Sequence, residues 1–249
     1  MIPDTVDVFM TCYLRPDFTD RTIQYLRERT KYKFRLVLIH FGGNESVIEK
    51  HSDVIDLVVE PYKVNGERNP ANLGIHSAWN LALASAVSKY FITTDNDIYV
   101  PDLDPDWLTQ LVALLDEREE YAAVSLHPHV FIGAAGIDPR DPEDVKERNM
   151  CGAVMRIMRT EAVHKAGGWE NIIRAGRDHE ESTICSRLQS VGYKVGICSR
   201  IRAYHPFGKN WGYKKSFTPE MQGHNPQLAE YVEQFDKPDA YNQETWMPK

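Results

Sequence analysis

A chain of 249 residues, 42% hydrophobic and 26% charged, carries enough apolar material for one sizeable core and reads as an ordinary globular protein. Its formal net charge of -7 argues against a general nucleic-acid binder, because phosphate contacts need clustered Lys and Arg. No apolar stretch approaches a membrane span and the N-terminus lacks the basic start and apolar core of a signal peptide, so the expectation is a cytoplasmic protein, free or peripheral to the membrane, with no transmembrane segment. The four cysteines, Cys12, Cys151, Cys185 and Cys198, show no Cys-x-x-Cys spacing, which fits reduced thiols rather than a zinc knuckle or a redox motif.

The first expected strand, Val6 to Tyr13, runs into Thr11-Cys12-Tyr13-Leu14-Arg15-Pro16. There Tyr13 is placed to stack on a base and Arg15 to meet a phosphate, unless the segment is a plain strand-to-helix turn. A helix over Asp20 to Glu28 follows, then strands over Phe34 to Phe41 and Asp56 to Glu60. Asn72-Leu73-Gly74 leads into a helix over Ile75 to Ser88. A glycine there lets the backbone approach a ligand and Asn80 can hydrogen-bond it; the alternative is a helix start with Trp79 in the core. The strand Tyr90 to Thr94 ends in Asp95-Asn96-Asp97, two carboxylates one residue apart that can share a divalent cation, and such a cation can hold a nucleotide diphosphate.

Downstream come a helix over Trp107 to Glu117 and a strand over Ala122 to Leu126. His127-Pro128-His129 reads as a solvent loop, since no Cys or acidic ligand flanks it as a zinc site needs. Gly133 to Arg148, rich in Asp, Pro and Arg, reads as a surface loop. A strand over Ala153 to Met158 and a helix over Glu161 to Ala166 precede Gly167-Gly168-Trp169-Glu170. Asp178-His179-Glu180-Glu181 then opens a helix over Ser182 to Val191, where acidic residues complement the helix dipole. The last strand, Lys194 to Cys198, is followed by Tyr204-His205-Pro206. From His205 to Phe217 the chain combines Gly208 and Gly212 as hinges with Lys209, Lys214 and Lys215, which reads either as a lid that orders over a diphosphate ligand or as a solvated loop with its aromatics packed on the body. The Pro-rich tail after Thr218 reads as peripheral.

Strands alternating with helices argue for an α/β protein with a mostly parallel sheet flanked by helices, whose ligands bind beyond the carboxyl ends of the strands, where Asp95 to Asp97 lie. Taken together, these segments resemble the family-2 glycosyltransferases with the Rossmann-like GT-A fold, in the family's order from about Val6 to His205. The resemblance implies a single GT-A domain over residues 1–217, with a nucleotide-binding half of about 1–103 and an acceptor-binding half of about 104–217, and a peripheral tail over 218–249. It implies that Asp95-Asn96-Asp97 is the family's Asp-x-Asp motif, with Asp97 on the metal and Asp95 near the ribose or in the metal shell. Thr11, Tyr13, Arg15, Asn72, Gly74, Asn80, Asp95 and Asn96 then belong to the donor pocket, Gly168 and Trp169 to the acceptor side, and His205 to the metal site. Glu180-Glu181 matches the acidic pair whose second member serves as general base.

What the resemblance implies is a glycosyltransferase using a UDP- or GDP-sugar donor, a saccharide, lipid-linked or protein acceptor, and Mn, preferred, or Mg, with inversion at the anomeric carbon. This chain departs from the pattern in three places. His40-Phe41-Gly42-Gly43-Asn44 stands where many relatives carry an acidic base-reading residue, the pair is Glu-Glu rather than Glu-Asp, and Trp79 replaces a common arginine. Cys198-Ser199-Arg200 also resembles the retaining polypeptide N-acetylgalactosaminyltransferases. Two other readings compete: a sugar nucleotidyltransferase, which would carry a Gly-rich loop that Thr11 to Pro16 lacks, and a non-catalytic nucleotide-binding scaffold of the same fold.

Overall fold

The computed structural model of the chain describes residues 2–13, 15–60, 63–64, 67–68, 74–129, 144–169 and 180–205. In chain order these form β1 (Ile2–Cys12), α1 (Pro16–Arg29), β2 (Phe34–His40), α2 (Glu45–Lys50), β3 (Ile55–Val59), β4 (Lys63–Val64), β5 (Glu67–Arg68), α3 (Gly74–Ser85), β6 (Ser88–Asp95) and α4 (Trp107–Glu117). They continue with β7 (Tyr121–His129), β8 (Val145–Arg148), β9 (Arg156–Arg159), α5 (Thr160–Lys165), α6 (Glu180–Ser190) and β10 (Lys194–Tyr204). One eight-stranded sheet has the order β3-β2-β1-β6-β9-β7-β10-β8, and β4 and β5 form a separate hairpin. The expected α/β architecture is therefore present as a mixed, mostly parallel sheet: β1 pairs in parallel with β2 and β6, β2 with β3, and β7 with β10, while β9 runs antiparallel between β6 and β7 and β8 runs antiparallel along β10.

The central strand shows why the sheet needs helices on both faces. Val6, Val8, Phe9 and Met10 are all buried, so β1 is apolar on both sides, as a strand in a parallel sheet must be. Side chains alternate across the pleat. One face sends Val6, Val8, Met10, Leu36, Leu38 and Ile92 against Ile23 and Leu26 of α1 and Leu108, Leu111 and Leu115 of α4. The other sends Phe9, Val37, Ile39 and Phe91 against Trp79 and Ala82 of α3, Ala162 and Val163 of α5, and Ile184 and Leu188 of α6. Phe9 and Phe91 meet edge to face across the strands, with ring centroids 6.1 Å apart.

Several expected boundaries move for identifiable reasons. Pro16 supplies the helical φ at the start of α1, so that helix begins at Pro16 rather than Asp20. Ser88, expected to end α3, instead opens β6, where its amide and that of Val87 donate to the buried carboxylate of Asp7. His127-Pro128-His129 is not a solvent loop: it prolongs β7 alongside Arg202 to Tyr204 of β10, and His127 is buried. The described end of the expected Gly133 to Arg148 loop is the edge strand β8, whose only apolar residue, Val145, left no alternating pattern to read. Its approach depends on Gly196, where a Cβ would come within 2.5 Å of Val145 Cγ1. The expected strand over Ala153 to Met158 begins only at Arg156, after Met155 takes a positive φ of 45°. Asn72, the segment Pro206 to Phe217 and the tail 218–249 lie outside the described residues.

Candidate functional site

The carboxyl ends of β1 and β6 lie side by side because their register pairs Thr11 with Asp95. Thr11 Oγ1 donates to Asp95 Oδ1 at 3.3 Å. Directly after β6 the chain turns, and Tyr99 exchanges two backbone hydrogen bonds of 2.8 Å with Tyr204 at the end of β10. That single bridge carries His205 across the sheet to Asp97: His205 Nε2 stands 3.4 Å from Asp97 Oδ2. On the other side Arg15 Nη1 donates to the same Asp97 oxygen at 2.6 Å. Arg15 reaches it from the N-cap of α1, held in the left-handed region at φ 58° and followed by Pro16.

Burial and crowding set the charges. Burial, then the neighbouring Asp97 charge, push the Asp95 carboxyl up to about 7. For His205, burial works against protonation, but the Asp97 carboxylate outweighs it and raises the imidazole above its ordinary value. Asp97 and its neighbours thus form a cluster that gathers cations: one guanidinium already lies on it and an imidazole is drawn toward its charged form.

Beside this cluster opens a cavity of about 230 Å³. Polar side chains of Thr11, Arg15, Asp95 and Asn96 and apolar or aromatic ones of Tyr13, Phe41 and Ile75 line it. Tyr13 is half exposed at the mouth. A cavity whose lining combines aromatic, apolar side chains with a guanidinium and a carboxylate suits a ligand that carries both a flat ring and charge. Phe41 and Ile75 were not expected here. Phe41 directly follows β2, at the carboxyl end where ligands of such sheets bind, and its amide donates to the carbonyl of Cys12 at 2.7 Å.

Other expected site residues are placed but turned to different work. Asn96 lines the cavity but also donates its side-chain amide to Thr19 Oγ1 at 2.7 Å while its backbone carbonyl accepts from Thr22, so it ties the Asp-x-Asp turn to α1. Asn80 clasps the backbone of Trp169 in both directions, at 2.8 and 2.9 Å. Gly168, at φ +66°, admits this clasp, because a Cβ there would lie 2.7 Å from Asn80 Oδ1. Arg187 donates to the carbonyls of Gly167 and Gly168 and fixes the same turn to α6. Gly74 begins α3. Trp79 is wholly buried in the core.

The two acidic residues that open α6 part company. Glu180 is buried, and its oxygens accept from Arg156 Nη2 at 2.9 and 3.3 Å and from Trp169 Nε1 at 3.0 Å. Glu181 is partly exposed. A carboxylate held by a buried guanidinium and an indole is poorly suited to accept a proton.

Among the described residues no three His, Cys, Asp or Glu side chains form a ready-made metal cage. Two donors nevertheless fit a divalent cation: the buried Asp97 carboxylate, and His205 Nε2, which is buried, makes no hydrogen bond and faces Asp97. No helix among the described residues is long and apolar enough to cross a membrane.

Residues 7–177 match the model of a family described as Glycosyl transferase family 2. Among curated proteins none matches the chain by sequence. Solved structures share the fold. TarS 1-349 of S. aureus is 14% identical, with a TM-score of 0.61 over 80% of this chain and 60% of its own. The mannosyltransferase PcManGT of Pyrobaculum calidifontis, in complex with GDP-Man and Mn2+, is 19% identical, with a TM-score of 0.60 over 83% of this chain and 58% of its own. GalNAc-T7 with UDP, GalNAc and Mn2+ is 17% identical, with a TM-score of 0.62 over 81% of this chain and 43% of its own. The chain thus spans three fifths or less of the length of these three structures.

Proposed function

The chain belongs to glycosyl transferase family 2, and from that premise we propose that it transfers a sugar from a nucleoside diphosphate sugar to a hydroxyl acceptor, with inversion and with help from a divalent cation, Mn rather than Mg. The observation that carries this reading is the meeting of Asp95, Asp97, Arg15 and His205 beside a cavity lined in part by aromatic side chains. GDP-Man and Mn2+ in one structure of the same fold, and UDP and Mn2+ in another, support the donor class and the metal. Acceptor binding is assigned to the half beyond residue 103, and the protein acts in the cytoplasm on a saccharide, lipid-linked or protein acceptor.

In this reading Tyr13 and Phe41 bracket the base, and Thr11 holds Asp95 toward the ribose. Asp97 and His205 would hold the cation, and its charge would stabilise the departing diphosphate. Arg15 must release Asp97 for that to happen, and its guanidinium is then within reach of the diphosphate. Glu181 takes the proton of the attacking hydroxyl.

The test is metal-dependent hydrolysis across a panel of UDP- and GDP-sugars, with Asp97→Ala as control. Turnover with Mn, its loss in chelator, and loss of nucleotide diphosphate binding in the variant are the expected results. Full turnover in chelator would remove the metal from the reading, and no turnover of any donor would remove the transferase.

A further inference from the structure

Arg156 is the largest charged side chain wholly buried in the described interior, and nothing in the Asp-x-Asp or Glu-Glu motifs pointed to it. It stands on β9, antiparallel and directly opposite Thr93 of β6. Its Nε donates to Thr93 Oγ1 at 3.1 Å, its Nη1 to the carbonyl of Cys151 at 3.2 Å, and its Nη2 to both oxygens of Glu180. Glu180 in turn holds the indole of Trp169. Thr93 lies two residues before Asp95, on the same face of β6. One guanidinium therefore joins the strand that ends in the Asp-x-Asp motif, the segment before β9, the Gly-Gly-Trp turn and the first turn of α6. Glu180 is near enough for its charge to act on Asp95.

A buried ion pair is a poor way to gain stability, because desolvation offsets its attraction and an apolar pair of similar volume does as well. What it offers is direction: a planar fork satisfied on three sides fixes distances that apolar packing leaves loose. We propose that Arg156 is a positioning residue for sugar transfer, setting the first turn of α6, and with it Glu181, relative to Asp95 through its bonds to Glu180 and Thr93. This rests on Glu181 being the base of the reaction proposed above. The ionic fork does not touch substrate; it holds the helix turn that does.

The test separates holding from folding. A double variant, Arg156→Met with Glu180→Met, removes both charges and leaves no buried ion unpaired, so it is expected to melt near the wild type. It should bind nucleoside diphosphate with Mn within about twofold of wild type, while kcat for Mn-dependent donor hydrolysis falls roughly a hundredfold at unchanged KM, the signature of an interaction made only in the transition state. Arg156→Lys keeps the charge but not the fork, and should lose about tenfold in kcat with its fold intact. Hydrogen exchange gives a reading independent of turnover: amides of residues 180–185 should exchange at least about tenfold faster in both variants while those of β1 do not change. Unaltered kcat in the double variant overturns the proposal, as does unaltered exchange over 180–185. Should the wild type turn over no donor, the proposed function fails, and exchange alone decides whether Arg156 sets the helix turn.

Discussion

At the cavity Arg15 meets Asp97 at 2.6 Å with 16% of the arginine side chain exposed, whereas in the interior Arg156 meets Glu180 at 2.9 Å with none exposed. The chemistry of the two pairs is the same and their surroundings are not. Arg15 hangs from the end of a helix beside an open cavity, and Asp97 has a second partner, His205, 3.4 Å away. Arg156 has interior partners on three sides and Glu180 has a second donor in Trp169. An ion pair at a cavity mouth can exchange its cation for a ligand's; one in the interior cannot part without leaving a bare charge in the core. The first is suited to being broken in each cycle and the second to staying whole.

The largest expected effect tests the division of the acidic pair. Glu181→Gln keeps size and hydrogen bonding but cannot accept a proton, so turnover should fall by about two to four orders of magnitude while donor affinity holds. Glu180→Gln should lose less, and a larger loss from Glu180→Gln than from Glu181→Gln would reverse the assignment of the base. Next comes the interior pair. Arg156→Met as a single change leaves Glu180 buried without its guanidinium and should cost roughly 3–5 kcal/mol in a denaturant titration, much of it restored by adding Glu180→Met. A single variant as stable as wild type would mean that Glu180 finds water or a proton in its place.

The contrast also explains what was legible in the sequence. Motifs at strand ends were readable because register does the assembling: once β1 and β6 pair, Thr11 and Asp95 are neighbours whatever the loops do. The same holds for the alternation of β1, β2 and β6 that sorts Phe9, Val37 and Phe91 onto one face. Asn80 and Asn96 were recognisable as special, but their partners, Trp169 and Thr19, are 89 and 77 residues away, and no local spacing says that an amide will clasp a backbone rather than a ligand. Arg156 was invisible for a related reason. An arginine in the stretch Arg156-Ile157-Met158-Arg159 looks like the polar half of an amphipathic strand, and only the antiparallel insertion of β9 between β6 and β7 buries it. The short edge strand β8, with its charged side chains, carried no pattern at all.

The smallest effect, and the one that most sharpens the comparison, comes from the pair at the mouth. Arg15→Gln keeps a hydrogen-bond donor near Asp97 but removes the positive charge that a metal ion must displace. A partly exposed pair of this kind is worth about 1 kcal/mol, so Mn added alone, followed by electron paramagnetic resonance, should bind on the order of five- to tenfold more tightly. Nucleoside diphosphate in the presence of Mn should bind more weakly, because the same guanidinium is the charge-assisted donor that the diphosphate gains once Asp97 has let it go. The two affinities thus move in opposite directions. A side chain that only braced the turn after β1 would weaken both together, and that result would make Arg15 a counterpart of Arg156 rather than its contrast.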